Sequence, residues 1–417
     1  MLNYDLAVIG GGPAGMAAAL QARECGVKKI IILERAATLG GILEQCIHAG
    51  FGLHYFNEEL SGPEYAHRFI EQVEATDIDV KVDTMVLTIE DGNIITAANN
   101  IDGLIEIKAK AIVLAMGCRE RPRGAINIAG SRCSGIMTAG TAQKYVNIDG
   151  YMPGHKIVIL GSGDIGLIMA RRMSLEGAEV KMVCELQPCS NGLTRNIVQC
   201  LDDMGIPLKL SCTVVAAHGK ERLEGVTIAD VDEKLNPIPG TEQYVECDTL
   251  LLSIGLIPEN ELTRMAGIEL DRTTNGAVVD EYRQTSREGI FACGNVLQVH
   301  DLVDYVTIES KLAGKGAAKY ILSETEEPEY ISTKGINGVR YIVPQKINRK
   351  TDSDVNLYFR VGSVYNGAKL IVECGGEVIL SKKRLRMCPS EMETLTIKRE
   401  ILEKLSANDE ITVRVEE

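Results

Sequence analysis

The 417-residue sequence has no tryptophan, no long apolar run and a deficit of positive charge. Its 44 basic and 58 acidic residues give a net charge of −14, which argues against a nucleic-acid-binding face and against a polybasic membrane anchor. No apolar run approaches the roughly 18 residues that a membrane-spanning helix requires. Hydrophobic content of 45% indicates a folded chain, and the length predicts two or three domains at ~150 residues each.

The twelve cysteines include no Cys-x-x-Cys pair. Asp5 stands where a secretory leader would carry positive charge, so we expect a cytoplasmic protein with reduced thiols. The one Cys-x4-Cys pair is Cys184 with Cys189, and Cys184 ends an apolar run that predicts a packed thiol. Cys118 and Cys133 are separated by 14 residues, which matches no compact ligand spacing, so no metal site is predicted.

Strand and helix patterns alternate along the first three quarters of the chain. The apolar run Leu6–Ile9 is followed by a helical pattern and then by the apolar run Lys29–Leu33. The same order restarts at Lys156–Leu160 and reaches another apolar run at Val180–Val183. Repeated βαβ units predict an α/β fold with parallel sheets covered by helices. The restart predicts a second domain of the same design.

The pattern changes near residue 324. Glu324–Pro328 is a predicted linker, and short β-type runs such as Val355–Val361 and Ile411–Val415 follow it. They predict a small antiparallel β module at 329–417, similar to a sandwich. The basic cluster Lys382–Arg386 within it has two interpretations that stay open, a charged strand that protects a sheet edge or a docking place for a partner protein.

The strongest pattern is a duplicated glycine loop. Each copy follows a predicted strand and opens a predicted helix, and the two copies are Gly10, Gly12 and Gly15, and Gly161, Gly163 and Gly166. An acid, Glu34 or Glu185, follows 24 residues after the first glycine of each copy. The first glycine makes a tight turn, the second lets the backbone approach a pyrophosphate, and the third lets the helix pack on the strand. The acid accepts hydrogen bonds from ribose hydroxyls.

Two such loops predict two dinucleotides. The common reason to bind both is hydride transfer between flavin and nicotinamide. The carboxylate of Glu185 favours the free 2′-hydroxyl of NAD over the phosphate of NADP, although Arg195 farther along could offset it.

Residues 1 to about 325 resemble the two-dinucleotide-domain flavoproteins of the pyridine nucleotide-disulfide oxidoreductase superfamily. The segments that carry the resemblance are Val8–Gly15, Glu34–Arg35, Gly40–Gly41, Ala111–Gly117, Leu250–Gly255 and Gly289–Asn295. The resemblance implies an FAD domain made of 1–150 and 250–325, with an NAD domain at 151–249 inserted in it. It adds several residues to the expected cofactor contacts, namely Arg35, Gly40, Gly41, Ala115, Gly117, Gly294 and Asn295 for FAD and Gly255 for NAD. Asn295 stands where the family has an acid, which changes the charge expected near the flavin.

A narrower resemblance concerns electron-exchanging subunits. Gly117–Pro122 and Gly135–Gln143 are similar to the FAD/NAD subunits of opine and sarcosine oxidases and of hydrogen cyanide synthase. Cys46–Gly52, Val299–Asp304 and Gly338–Pro344 more closely resemble bacterial FAD-dependent oxidoreductases that accompany a glycerol-3-phosphate-dehydrogenase-like flavoprotein and a small cysteine-containing protein. This resemblance implies such partners and an oligomer.

The residues that could carry chemistry are few. Disulfide reductases hold a cysteine pair against the flavin. In the segment directly after Gly40 and Gly41, the second glycine pair of this chain, the only cysteine is Cys46, so dithiol chemistry is disfavoured. Cys46 could be a reactive thiol or a small buried hydrophobe. His48 and His300, the latter with Asp301, are the candidates for proton transfer, because histidine titrates near pH ~6.5. A structural hydrogen-bonding role is the alternative for each histidine.

The resulting prediction is an FAD-dependent oxidoreductase subunit that moves electrons between NAD(H) and flavin. The flavin would be coupled to a small organic substrate or to a partner dehydrogenase of glycerol-3-phosphate or amino-acid type. One alternative is a stand-alone NADH:acceptor reductase for an electron-carrier protein or a quinone. Another is a flavin-loaded scaffold subunit.

Overall fold

The computed structural model covers the chain in three stretches, residues 1–322, 327–406 and 409–417. The predicted linker Glu324–Pro328 falls partly in the first gap, so its residues 324–326 lie outside the described residues. Within the three stretches, no helix has both the length and the apolar character needed to cross a membrane.

The described chain forms two compact units. The first is made of Met1–Cys118 and Pro258–Glu417, and the second is Arg119–Ile257. The domain borders predicted at residues 150 and 250 stay a prediction. In the structure, Ala129–Gly130 and Ile136–Thr138, which precede residue 150, pair with strands of the second unit.

The first unit begins with a mixed parallel and antiparallel sheet and two helices. Its elements up to residue 118 are β1 (Leu2–Ile9), α1 (Pro13–Glu24), β2 (Ile30–Leu33), β3 (Ala49–Phe51), β4 (Leu60–Ser61), α2 (Gly62–Glu74), β5 (Asp79–Lys81), β6 (Met85–Glu90), β7 (Ile94–Asn99) and β8 (Gly103–Leu114). A short 3-10 turn, Gly41–Gln45, lies between β2 and β3. Proline at the first helical position and a glycine cap start α1 directly after the first glycine loop.

The second unit repeats the design. Its strands and helices, including those at its two borders, are β9 (Cys118–Glu120), β10 (Ala129–Gly130), β11 (Ile136–Thr138), α3 (Ala139–Lys144), β12 (Lys156–Leu160), α4 (Asp164–Leu175), β13 (Glu179–Cys184), α5 (Thr194–Ile197), β14 (Leu208–Lys209), β15 (Cys212–Gly219), β16 (Leu223–Asp230), β17 (Gln243–Glu246), β18 (Thr249–Leu252) and β19 (Leu256–Pro258). A parallel sheet in the order β11-β18-β12-β13-β14 carries α4, and a second sheet has the order β10-β15-β16-β17.

The chain then returns to the first unit through α6 (Glu261–Met265), β20 (Ile290–Ala292) and α7 (Val303–Ile321). β20 joins the first sheet beside β8, which gives the order β5-β2-β1-β8-β7-β6 with β20 paired to β8. The helices α1 and α7 pack closely on one face, because a Cβ at Gly314 would lie 2.3 Å from the carbonyl oxygen of Ala18. The apolar core on this face includes Met16, Phe69 and Ala317. Because β1 and β20 both pair in parallel with β8, the carboxyl ends of these three strands lie at the same edge of the sheet.

The described C-terminal module is a β structure of two larger sheets and one two-stranded sheet around its own apolar core. Its elements are β21 (Tyr330–Gly335), β22 (Val339–Val343), β23 (Lys346–Asn348), β24 (Val355–Val361), β25 (Tyr365–Asn366), β26 (Lys369–Cys374), β27 (Glu377–Lys383), β28 (Arg386–Met387), β29 (Glu393–Ile397), α8 (Arg399–Leu402) and β30 (Glu410–Glu416). The two larger sheets have the orders β23-β21-β30-β26-β27 and β22-β24-β29, and β25 pairs with β28 in the third. The predicted purely antiparallel arrangement is wrong at one place, since β21 and β30 pair in parallel. Lys382 and Lys383 lie exposed on the edge strand β27.

Buried acids attach this module to the rest of the first unit. A carboxyl oxygen of Asp280 accepts a hydrogen bond from the Tyr330 hydroxyl at 3.0 Å, and one of Glu281 accepts a hydrogen bond from the Asn348 backbone N–H at 2.9 Å. Burial, together with the charge of Asp280, raises the pKa of Glu281 to about 8. Because these contacts join the module to residues before it, the module belongs to the first compact unit rather than standing apart.

We expect a Glu281→Gln variant to lose less stability than the parent protein as the pH rises. A carboxyl group whose pKa is raised by folding stabilises the fold below its unfolded pKa, and this contribution is lost as the pH rises through about 8. The difference in free energy of unfolding between the two proteins should grow from near zero at about pH 4 to roughly 3–5 kcal/mol by about pH 9. Thermal unfolding at the two pH values measures it, and an unchanged difference would contradict the expectation.

Candidate functional site

The first glycine loop forms a cradle at the carboxyl edge of β1 and β8. Gly10 has φ +108°, and a Cβ there would lie 2.4 Å from the carbonyl oxygen of Ala115. A Cβ on Gly15 would lie 1.8 Å from the carbonyl oxygen of Gly10. In contrast, the space at Gly12 is open, since its φ is −76° and the nearest atom to a Cβ would be the Cα of Gly41 at 3.9 Å. Only glycine fits the first and third positions, and the second leaves room for a phosphate to approach.

The acid of the first copy lies directly beside its glycine loop. The buried Glu34 accepts hydrogen bonds from the backbone N–H groups of Gly11 at 2.6 Å and of Ala36 at 2.7 Å, one on each carboxylate oxygen. Each oxygen keeps a lone pair that a ribose hydroxyl can use. Gly40, with φ +105°, donates its backbone N–H to the carbonyl oxygen of Gly11 at 3.0 Å. This hydrogen bond holds Gly40, the first residue of the second glycine pair, against the first glycine loop. The side chain of Arg35 is exposed.

The segment after β20 reaches the same edge. A Cβ on Gly294 would lie 2.7 Å from the Cβ of Ala14 at the start of α1, so Gly294 abuts the cradle. Asn295 donates its amide N–H to the Cys118 sulfur at 3.6 Å. Gly117, with φ +71°, follows β8, and no atom lies within 4 Å of a Cβ placed there. The structure thus brings the predicted FAD-contacting glycines and Asn295 together at one edge.

The second unit holds the same geometry. Gly161 has φ +99°, and a Cβ there would lie 2.0 Å from the carbonyl oxygen of Ser253. A Cβ on Gly166 would lie 2.7 Å from the Cβ of Ser253, whereas Gly163 has φ −65° and only the Ser253 hydroxyl, at 3.3 Å, near its Cβ position. Gly255, with φ +102°, follows β18. The second copy therefore also leaves more room at its middle glycine than at its first or third.

Glu185 matches Glu34 in its contacts. It is buried, and it accepts hydrogen bonds from the Ser162 backbone N–H at 2.8 Å, the Ser162 hydroxyl at 2.6 Å and the Gln187 backbone N–H at 2.9 Å. Asp164, the first residue of α4, accepts hydrogen bonds from the Leu193 backbone N–H at 2.8 Å and the Asn196 amide at 2.6 Å. Ser162 and Asp164 were not among the predicted site residues. Their positions between the glycines of the second loop could have identified them.

The predicted catalytic residues Cys46 and His48 lie in the segment after the second glycine pair. Burial raises the pKa of Cys46 to about 12, and its thiol donates to the carbonyl oxygen of Ile42 at 3.3 Å. A thiol held in its neutral form is a poor nucleophile, which favours the buried-hydrophobe interpretation. The ring of His48 stacks on Phe51 with centroids 4.9 Å apart.

His300 and Asp301 face different partners. The buried His300 ring has Nδ1 3.3 Å from the Asn295 side-chain oxygen and Nε2 3.1 Å from a carboxylate oxygen of Glu309. Asp301 forms an ion pair with Arg360 of the β module and accepts the Met392 backbone N–H at 2.7 Å. These contacts give Asp301 a structural role, and its catalytic role stays a prediction.

The sequence analysis missed the carboxylate of Glu309 and the guanidinium of Arg283. Their side chains are essentially fully buried and form an ion pair at 3.2 Å. An acid on the buried face of α7, among small and apolar residues, was the signal that could have identified Glu309. In the part of the chain that the structure describes, no group of three or more histidine, cysteine or acidic side chains is arranged to hold a metal ion.

Comparisons with known proteins agree with this geometry. The pyridine nucleotide-disulphide oxidoreductase family profile matches residues 4–313. The hydrogen cyanide synthase subunit HcnB of Pseudomonas protegens is 25% identical over 71% of this chain and 66% of its own length. An opine oxidase subunit from Rhizobium meliloti is 28% identical over 70% of this chain and 58% of its own length. The matches thus span less than two thirds of these relatives.

Among solved structures, thioredoxin reductase of T. acidophilum covers 78% of this chain and 100% of its own, with a TM-score of 0.63 and 23% identity. This likeness concerns the fold.

Proposed function

The chain belongs to the pyridine nucleotide-disulphide oxidoreductase family and is an FAD- and NAD(P)H-dependent oxidoreductase, and from this premise we propose which of its residues hold each cofactor. The first glycine loop, with Glu34, Gly40, Gly41 and the Gly294–Asn295 segment, binds FAD. The second glycine loop, with Glu185, binds the nicotinamide dinucleotide. The observation that carries this proposal is the duplicated contact in which each acid accepts the backbone N–H of the residue after the first glycine.

The protein's own groups have defined tasks in this proposal. The open space at Gly12 and Gly163 admits a pyrophosphate, and the free N–H groups at the starts of α1 and α4 stabilise its charge. Glu34 and Glu185 hold ribose hydroxyls with their remaining lone pairs. When bound, FAD supplies the two-electron chemistry that amino-acid side chains lack.

We further propose NADH as the preferred reductant. The buried carboxylate of Glu185 lies where a 2′-phosphate would have to bind, and two like charges at that position repel each other. The three backbone and hydroxyl donors that hold the carboxylate keep it from moving aside.

The electron partner proposed here is another protein or a small organic substrate rather than a dithiol. Cys46 is the sole cysteine in the segment that follows the second glycine pair, and its thiol is held neutral. The curated relatives named as subunits of hydrogen cyanide synthase and opine oxidase favour a component of a larger oxidoreductase.

Anaerobic mixing of the purified protein with NADH or NADPH tests the proposal. The protein should be yellow, NADH should bleach its visible flavin absorbance, and NADPH should do so at least about tenfold more slowly. A colourless protein that FAD does not reconstitute, or a yellow one that neither nucleotide reduces, would refute it. Turnover with an artificial acceptor but with no organic substrate would favour a stand-alone reductase.

A further inference from the structure

A buried carboxylate beneath the first cradle gathers the segment that follows β20. Glu309 is fully buried on α7, and one of its oxygens accepts hydrogen bonds from the Gln298 amide at 2.8 Å and from Arg283 at 3.2 Å. The other accepts the Gly294 backbone N–H at 3.3 Å and lies 3.1 Å from His300 Nε2. Three of these four partners belong to residues 294–300, so one side chain fixes the whole segment.

The contact with His300 sets the orientation of the Asn295 side-chain amide. The Asn295 side-chain oxygen accepts the His300 backbone N–H at 3.0 Å and lies 3.3 Å from its Nδ1. The amide nitrogen therefore points the other way, toward Cys118 at the end of β8. Because Gly294 abuts the start of α1, this amide lies at the cradle edge as a hydrogen-bond donor.

The charges of this cluster are unusual for a protein interior. Burial alone would raise the pKa of Glu309, but the positive charges of His300 and Arg283 and the hydrogen bonds it accepts hold it at about 2. Arg283 is fully buried, and its guanidinium lies over the Tyr358 ring at 5.7 Å. Buried ion pairs give little net stability compared with apolar residues of the same size. Such a cluster directly below a cofactor cradle therefore indicates a role at that cradle.

We propose that Glu309 is a positioning residue which, through His300, turns the Asn295 amide N–H toward the bound FAD. Where the family resemblance leads one to expect an acid that accepts a hydrogen bond, this chain presents a donor. The proposal rests on the assignment of the first glycine loop to FAD. It makes the affinity for FAD and the reduction potential of the flavin depend on a carboxylate that does not contact the cofactor.

The test compares two buried glutamates of the same unit, Glu309→Gln and, as the matched control, Glu281→Gln. The pKa of Glu281 is about 8, so glutamine closely replaces the neutral acid that is present at neutral pH. FAD affinity of the apoprotein and the midpoint potential of the bound flavin are measured for each. We expect Glu309→Gln to weaken FAD binding and to change the ratio of reduced to oxidised flavin by at least about tenfold each, the latter about 30 mV for a two-electron couple. The control should change neither by more than about twofold.

The same substitution made in an Asn295→Ala protein shows whether Glu309 acts on FAD binding and on the flavin potential through Asn295. In an Asn295→Ala protein, Glu309→Gln should add little to either change, since the group that Glu309 orients is already gone. If Glu309→Gln does not fold because Arg283 is left without its partner, His300→Gln takes its place, since it keeps the Arg283–Glu309 pair and should give the same two changes and the same dependence on Asn295.

The outcomes separate two failures. A folded variant that binds FAD with parental affinity and potential, or one whose effects add fully to those of Asn295→Ala, would overturn the inference about Glu309. Failure of the parent protein itself to bind FAD would instead refute the proposed function.

Discussion

Replacing Gly12 with aspartate should yield a folded but colourless protein. A Cβ at Gly12 has no atom closer than 3.9 Å, and its φ of −76° suits any residue, so the substitution causes no strain. The new carboxylate would occupy the space left for the pyrophosphate and repel its charge. We expect FAD affinity to fall at least about 100-fold, or roughly 2.7 kcal/mol.

Titration of the apoprotein with FAD, followed by quenching of flavin fluorescence, measures this loss. The matched control is Gly124→Asp, since Gly124 has no atom within 4 Å of its Cβ position and the substitution adds the same charge elsewhere. Both variants should keep the parental thermal unfolding profile. A Gly12→Asp protein that remains yellow with parental affinity would remove the first loop as the FAD site.

The glycine loops could be predicted because each belongs to one βαβ unit, whose turn requires glycine at its first and third positions. A side chain at Gly10 or Gly15 would collide with a backbone oxygen within a few residues of the loop or on the neighbouring strand. The acid of each copy likewise ends the adjacent strand, so its offset is set by the length of one βαβ unit. Such short-range requirements leave a pattern in the sequence. The predicted α/β fold class, with a C-terminal β module, is confirmed. It too was predicted from short-range patterns of apolar and polar residues.

The contacts that sequence analysis missed join residues far apart in the chain. Glu309 meets Arg283 across 26 positions, and Asp301 meets Arg360 across 59. No periodicity records such pairs, so the sequence did not indicate that Asp301 forms an ion pair with Arg360. The parallel pair β21 with β30 was missed for the same reason, since it joins the first and last strands of the module. Long-range pairing also brings β10 and β11, which precede residue 150, into the sheets of the second unit.

The cysteines show both what a short-range sequence pattern predicts and what it leaves out. Cys184 is buried in the core of the second unit with Cys212 and Cys247, so its prediction as a packed thiol is confirmed. Its nearest cysteine in sequence with redox spacing, Cys189, is exposed and belongs to the loop after β13. Burial could be inferred from an apolar strand, whereas the neighbours that surround the thiol could not.

The same substitution in the second unit, Gly163→Asp, should give the converse phenotype, a yellow protein that NADH does not reduce. The backbone of Gly163 has φ −65°, and the only atom within 3.4 Å of its Cβ position is the Ser253 hydroxyl oxygen at 3.3 Å, which has to shift by only a few tenths of an ångström. The carboxylate would then occupy the space between Glu185 and the start of α4, where a pyrophosphate would have to bind.

We expect the second-order rate constant for flavin reduction by NADH to fall at least about 100-fold, while FAD affinity stays within about twofold of the parent. Anaerobic stopped-flow mixing measures the rate, and reduction of the same sample by dithionite shows that its flavin remains competent. Gly124→Asp again controls for the added charge. Because Gly12→Asp and Gly163→Asp make the same chemical change in two copies of one geometry, opposite losses in the two proteins would assign one dinucleotide to each loop. A Gly163→Asp protein reduced at the parental rate would show that nicotinamide reaches the flavin without the second loop.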